Sequence, residues 1–291
     1  MDRIGFAGLG VMGEPICRNM VIKSGAEALV FDLNSAPVER LATHGARAVG
    51  SVAEIAGQVD ILFLSLPGGP QVEAVARGPG GIAEAGREGL LVVDMSTAPV
   101  GLTRDVAETL AAKGIEWVDA PVARTRAAAE DGTLSIMVGG TDDQFARVRP
   151  WLDHAASDVT HCGPLGCGQV AKIMNNMVLF QTVVALSEAL ALGKSAGMDP
   201  ALLFDVMSKG SADSFALRNH GMKAMLPGVF PEGAFPTDYA LKDVSYALDL
   251  AREAGITAPG AELAEARMKV SKDAGFGAEY FPALAKVTGR D

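Results

Sequence analysis

Cysteine and histidine are scarce in this chain. Cys17, Cys162 and Cys167 form no C-x-x-C pair, and an odd count speaks for a reducing compartment rather than a disulfide framework. They read as small packing residues. His44, His154, His161 and His220 stand at no ligand spacing, so no structural metal is expected. No basic-then-apolar leader precedes "RIGFAGLG", and no uncharged run reaches the ~20 residues that cross a bilayer. The nearest candidate, residues 171–192, is interrupted by Asn175, Asn176, Gln181, Ser187 and Glu188. A cytoplasmic protein without a membrane partner is the expectation. Basic residues are also few, 25 against 35 acidic ones, for a net charge of -10, which argues against nucleic acid as a partner. A small anionic substrate would need a local basic cluster. Repeats and low-complexity segments are absent.

With 291 residues, 49% hydrophobic and 21% charged, the chain can bury a large core and is long enough for two domains. Its first 160 residues alternate short β-branched runs with helical stretches. "RIGFAG", "ALVFD", "VDILFLSL", "LLVVDMS", "IEWVDAPV" and "LSIMVGG" read as parallel strands. "SVAE" at 51–54 and "TDDQ" at 141–144 have the form of capping boxes that start helices. This is the order of a doubly wound sheet. After "VTHCGPLGCG" the alternation stops. Asp199 with Pro200 signals a helix start, Gly210 its close, and Leu241, Val244, Leu248 and Ala251 recur at helical spacing. The predicted architecture is α/β: a doubly wound domain over 1–163, then an all-α domain over 164–291, joined by a long helix at about 167–195. A helix of that length outruns the first domain and must be covered by the second or by another subunit, so a homodimer or homotetramer is expected.

"IGFAGLGVMGEP" places Gly8, Gly10 and Gly13 in G-x-G-x-x-G order, after a strand and at the start of a helix, with Leu9, Val11 and Met12 between them. Asp32 ends the next strand, 19 residues after Gly13. Together these predict dinucleotide binding: the turn brings backbone to the pyrophosphate, and the helix N-terminus presents free N–H groups to it. A carboxylate accepts from both ribose hydroxyls of NAD and repels the 2′-phosphate of NADP, and "FDLN" offers no basic residue beside it. NAD is therefore expected, NADP less so. Further strand ends bring "SLPGG" (65–69), "DMST" (94–97) and "DAPVARTR" (119–126) to the edge where open parallel sheets bind ligands.

"GLGVMG", "DMST", "DAPV" with "GTLSIMVGG", "GQVAKIMNN" and "LKD" resemble, in order and spacing, the β-hydroxyacid dehydrogenases, which include 3-hydroxyisobutyrate dehydrogenases and tartronate semialdehyde reductases. The likeness covers essentially the whole chain. It implies a Rossmann domain, a β-hydroxy acid or its semialdehyde as substrate, and Lys172 as the catalytic acid/base. It further implies that Ser96, Thr97, Ala123, Arg124, Thr125, Asn175, Asn176, Phe235 and Asp243 surround the substrate. Leu66, Pro67, Thr97 and Lys242 would join the glycine-rich turn in holding the cofactor. Independently, residues i and i+4 share one helical face, so Lys172 and Asn176 can converge on one small molecule. Alcohol oxidation needs a base for the hydroxyl proton, and a lysine starts at ~10.4, so a downward shift of ~2–3 units is expected from desolvation or from Lys242.

One segment departs from the family. Many relatives have Ser-Gly-Gly after "DAPV", where Ala123, Arg124 and Thr125 stand here. P-V-x-R-T is similar to the 3-sulfolactaldehyde reductases of the family, whose arginine helps bind a sulfonate, so a carboxylate and a sulfonate both stay open as the anion. Two other readings also stay open: an imine reductase-like enzyme, a class that usually lacks the lysine, and a non-catalytic NAD-binding reader protein.

Asp32→Ala is expected to weaken NAD and narrow its advantage over NADP by ~1–3 kcal/mol, the worth of hydrogen bonds to a charged group. Paired titrations of the two cofactors measure it, and wild-type preference for NADP would overturn the assignment.

Overall fold

Short apolar runs make the central strands, as expected of a sheet covered on both faces. In the computed structural model, which describes residues 2–289, the chain divides into two compact units, Met1–Lys172 and Ile173–Asp291. In the first, the strands are β1 (Ile4–Ala7), β2 (Ala28–Phe31), β3 (Arg47–Ala48), β4 (Ile61–Leu64), β5 (Leu91–Asp94), β6 (Glu116–Asp119), β7 (Val122–Ala123), β8 (Leu134–Gly139) and β9 (Ala156–Gly163). Their order is β3-β2-β1-β4-β5-β6-β8-β7, with β9 paired to β8. The first six are parallel, in the doubly wound order, with Ile4 in register with Ala28 on one side and Ile61 on the other.

Helices α1 (Gly13–Ser24), α2 (Ser35–Ala42), α3 (Val52–Ala56), α4 (Gly69–Arg77), α5 (Ile82–Ala85), α6 (Val100–Ala111), α7 (Arg126–Asp131) and α8 (Asp142–Leu152) cover the sheet. Side chains alternate across each strand, so two cores form. Phe6 and Phe63 stack at 6.0 Å in one, with Ile16 and Met20 of α1 and Leu152 of α8. Leu62, Leu64 and Val92 fill the other with Val72 of α4 and Leu110 of α6. Both expected helix starts are present: Ser51 accepts from Glu54 N–H, and Thr141 with Gln144 forms a complete capping box.

Three strands escape the pattern of alternation. β3 and β7 are two residues each, and β9 is a largely exposed strand of mixed polarity. β8 runs antiparallel to β6 rather than parallel. β6 and β7 meet β8 in one continuous antiparallel register, Asp119 opposite Gly139 and Ala123 opposite Ser135, so the chain doubles back through α7 as a hairpin instead of crossing over the sheet.

α9 (Cys167–Ser195) is one uninterrupted helix that begins in the first unit and continues into the second. By length and composition alone it could cross a membrane, with a mean hydropathy of 1.4 over its most apolar window. Its Phe180, Val183, Val184 and Leu186 are buried in the core of the second unit. That unit adds α10 (Pro200–Met207), α11 (Thr237–Ala254) and α12 (Pro259–Ser271), a π-helical stretch Leu217–Met225, and a 3-10 turn Phe281–Lys286. Asp199 caps α10 by accepting from Leu202 N–H, with Pro200 in the first turn.

His220 sits in the π-helical stretch, 4% exposed, its Nδ1 against the Tyr280 hydroxyl, its ring among Phe215, Tyr280 and Phe281, and its Nε2 without a hydrogen-bond partner among the described residues. Burial pushes its pKa down to about 4 and that of Tyr280 up to about 12. A histidine depressed in the folded state leaves stability intact above the unfolded value of about 6.5 and removes it as pH falls from there toward 4. The loss should reach about 3 kcal/mol. Urea unfolding of wild type and His220→Asn at pH 7, 5.5 and 4.5 should show the steeper decline in wild type; parallel declines would mean the ring is solvated.

Candidate active site

The C-terminal edge of the sheet is built around glycines that permit close approach. Gly8 has φ +89, and a Cβ there would lie 2.3 Å from the Ser65 carbonyl. A Cβ on Gly13 would lie 2.0 Å from the Gly8 carbonyl, so the turn folds tightly onto the start of α1. A Cβ on Gly10 would meet nothing within 4 Å, which leaves this backbone open to a ligand. The half-buried Asp32 accepts from Leu9 N–H at 2.6 Å and from Asn34 N–H at 2.8 Å. It therefore shapes the turn while its remaining lone pairs can serve a ribose. Turn, helix N-terminus and acid fit a dinucleotide. Nearby, Arg40 holds the Glu14 carboxyl below the usual carboxylate range through a hydrogen bond, against some desolvation.

The next loops are tied to one another. Ser96 N–H donates to Asp94 Oδ1 at 3.0 Å, and Ser96 Oγ accepts from Leu66 N–H at 2.9 Å. Gln169, wholly buried, donates from Nε2 to the Ser96 carbonyl at 2.8 Å and accepts from Ala98 N–H at 3.1 Å. Asp119, also without exposure, accepts from Gly166 N–H and Gln169 N–H at 2.7 Å each. Burial raises its pKa, opposed by these backbone bonds. Gly139 and Gly168 make room, since a Cβ on either would come within 2.4 to 2.8 Å of the carboxylate. The first turn of α9 is thus fastened to the β5–α6 loop and to the end of β6, and the half-buried Lys172 follows Gln169 by three residues.

Within the second unit, Asn175 donates to Asn176 Oδ1 at 3.1 Å and Asn176 donates to Asp243 Oδ2 at 2.7 Å. Lys242 Nζ lies 3.1 Å from Asp243 Oδ1 and over the rings of Tyr239 and Tyr246. Phe235 belongs to an aromatic cluster with Phe180 and Phe281.

The sequence-predicted residues thus fall into two groups, one per unit. Gly8–Gly13, Asp32, Leu66, Pro67, Ser96, Thr97 and Lys172 lie at or just beyond the sheet edge of the first. Several carry structural duties there: Ser96 ties loops, and Thr125 caps α7 by accepting from Ala128 N–H. Ala123 is buried in β7. Arg124 directs its guanidinium to Thr133, Ser157 and Asp158. Asn175, Asn176, Phe235, Lys242 and Asp243 lie in the second unit. Sequence reasoning assigned no role to Asp119 and overlooked Gln169. Its only signal was a glutamine between glycines and an otherwise apolar helix.

Fold and edge define a dinucleotide-binding protein of the dehydrogenase class. Residues 3–163 match the family model described as the NAD binding domain of 6-phosphogluconate dehydrogenase. Residues 166–288 match that described as the NAD-binding of NADP-dependent 3-hydroxyisobutyrate dehydrogenase. The chain is 36% identical to the 2-(hydroxymethyl)glutarate dehydrogenase of Eubacterium barkeri, over 98% of this chain and 94% of the relative. It is 39% identical to the 3-hydroxyisobutyrate dehydrogenase of Pseudomonas aeruginosa, over 82% and 79%. A Mycobacterium tuberculosis 3-hydroxyisobutyrate dehydrogenase solved with L-serine superposes with a TM-score of 0.89 at 30% identity, covering 99% of both chains. The chain belongs to the β-hydroxyacid dehydrogenase family.

Gln169→Leu keeps most of the volume but leaves Ser96 C=O and Ala98 N–H buried and unpaired, at ~1–3 kcal/mol each. Thermal melting should fall by several degrees. An unchanged melting temperature would show that the amide contributes nothing.

Proposed function

We propose that this protein interconverts a small β-hydroxy acid and its semialdehyde with NAD, using Lys172 as the proton carrier. The observation that carries the reading is the fastening of the first turn of α9 to the β5–α6 loop and to the end of β6 through Gln169 and Asp119, because it gives the chain just before Lys172 a fixed place at the ligand-binding edge. Asp32 supports NAD over NADP: a phosphate beside a carboxylate already bound to Leu9 and Asn34 would be repelled, and Leu33, 96% exposed, brings no compensating charge.

Bound nicotinamide would supply the hydride acceptor or donor. Lys172 takes the hydroxyl proton in the oxidative direction and, as an ammonium, returns it in the reductive one. Thr97, Asn175 and Asn176 orient the substrate. Asp243 holds the Asn176 amide in place and gives Lys242 its counter-charge. The engagement of Arg124 with Asp158 favours a carboxylate bound by neutral and backbone donors over a sulfonate that needs a guanidinium. Exposed Val178 and Leu192 on α9 support a homodimer or homotetramer. The three free cysteines support a cytoplasmic setting.

A panel of hydroxy acids and semialdehydes, carboxylate and sulfonate, followed by NADH absorbance, identifies the substrate. On the best of them Lys172→Ala should lose at least ~100-fold in kcat while NAD affinity, read by fluorescence titration, barely changes. Near-normal turnover would overturn the mechanism.

A further inference from the structure

Among the described residues, Arg124 is the one non-glycine with positive φ, at +86. That region disfavours any side chain with a Cβ, and such a backbone persists only when its surroundings hold it. The holding groups come from the segments that flank the loop in space. Arg124 Nη1 donates to the Thr133 carbonyl and to Ser157 Oγ, and Nη2 donates to Asp158 Oδ2, all at 2.6 Å. Ser157 Oγ also donates to Asp158 Oδ2, at 2.8 Å, and this hydroxyl together with Arg124 keeps the Asp158 carboxyl below the usual range. One planar guanidinium therefore laces the end of β7, the link between α7 and β8, and β9. Each contact is half exposed and weak by itself. Acting together from a rigid fork they fix one loop conformation.

We propose that Arg124 is a positioning residue, a clasp that holds the 123–125 loop in a left-handed turn and so aims its backbone N–H groups, rather than a group that touches the substrate anion. The clasp replaces by side-chain bonding what a glycine would supply by conformational freedom. It also keeps Thr125 extended, at φ −98 and ψ 169, where its hydroxyl caps α7. The link from loop to turnover rests on the proposed hydroxy-acid activity; the clasp itself does not.

The test uses full-length Arg124→Ala, Arg124→Gly and Asp158→Ala. Hydrogen–deuterium exchange of the 121–134 segment reads the clasp without any substrate. Arg124→Ala and Asp158→Ala should both speed exchange there, and unchanged exchange in Asp158→Ala would overturn the proposal. Activity is read as kcat/KM on 3-hydroxyisobutyrate and on its neutral counterpart 2-methyl-1,3-propanediol, or on the matched pair for whichever acid turns over best. Arg124→Ala and Asp158→Ala should both lose about 10- to 100-fold on the acid, by similar factors in the two variants, and less on the diol, which has no carboxylate for the loop N–H groups to hold. Arg124→Gly should keep about fivefold more activity than Arg124→Ala, because glycine accepts the turn. A loss confined to the acid, with Asp158→Ala silent, would make Arg124 an anion ligand and sink the clasp. Wild type inactive on the whole panel, with exchange as expected, would instead remove the functional reading and leave the clasp standing.

Discussion

A carboxylate with no access to water, that of Asp119, joins the sheet to the helix that follows it. Burying an ionisable group is costly unless hydrogen bonds replace its water, and here the replacement comes from backbone N–H groups at the start of α9. The arrangement needs bare backbone on both sides, which explains Gly139 in β8 and Gly168 in α9. Gln169 extends the same junction to the β5–α6 loop, and Ser96 carries it on to Leu66. Four separate stretches of the first unit are thus drawn to one edge, and Lys172 stands immediately beyond.

This junction divides the labour between rigidity and chemistry. The residues that organise the edge, Asp119, Gln169, Asp94 and Ser96, are buried and mutually bonded. Those proposed to meet ligand, Gly10, Asp32, Thr97 and Lys172, are more accessible or carry open backbone. A site built on fixed loops suits hydride transfer, where small errors of placement cost large factors in rate. The second unit holds a different device of its own, a chain of amides ending on the Asp243 carboxylate, with Lys242 as counter-ion.

The segment after "DAPV" shows how a family frame absorbs a change. A guanidinium just past a strand end of an acidic protein invites the reading of an anion receptor, and that was the expectation from net charge. Within the fold, however, Asp158 and two further acceptors compete for the same donors at 2.6 Å. The local partner is always present, whereas a substrate is not.

Features set by neighbours in the chain were legible in the sequence. The glycine-rich turn, the parallel strands β1, β2, β4, β5 and β6, the Ser51 cap, the capping box at Thr141, the Asp199 cap and the length of α9 all follow from residues a few positions apart. Backbone propensity, side-chain period and capping are short-range physics, so they appear in any window that contains them. Tertiary structure alone decided the reversal of β8, the pairing of β9, and the partners of Gln169, Asp119 and Arg124. Gln169 bonds residues 71 and 73 positions away, Asp119 bonds residues 47 and 50 away, and Arg124 reaches Asp158 across 34. Whether a polar side chain meets ligand or protein depends on which acceptors the fold brings within 3 Å, and no local pattern records that.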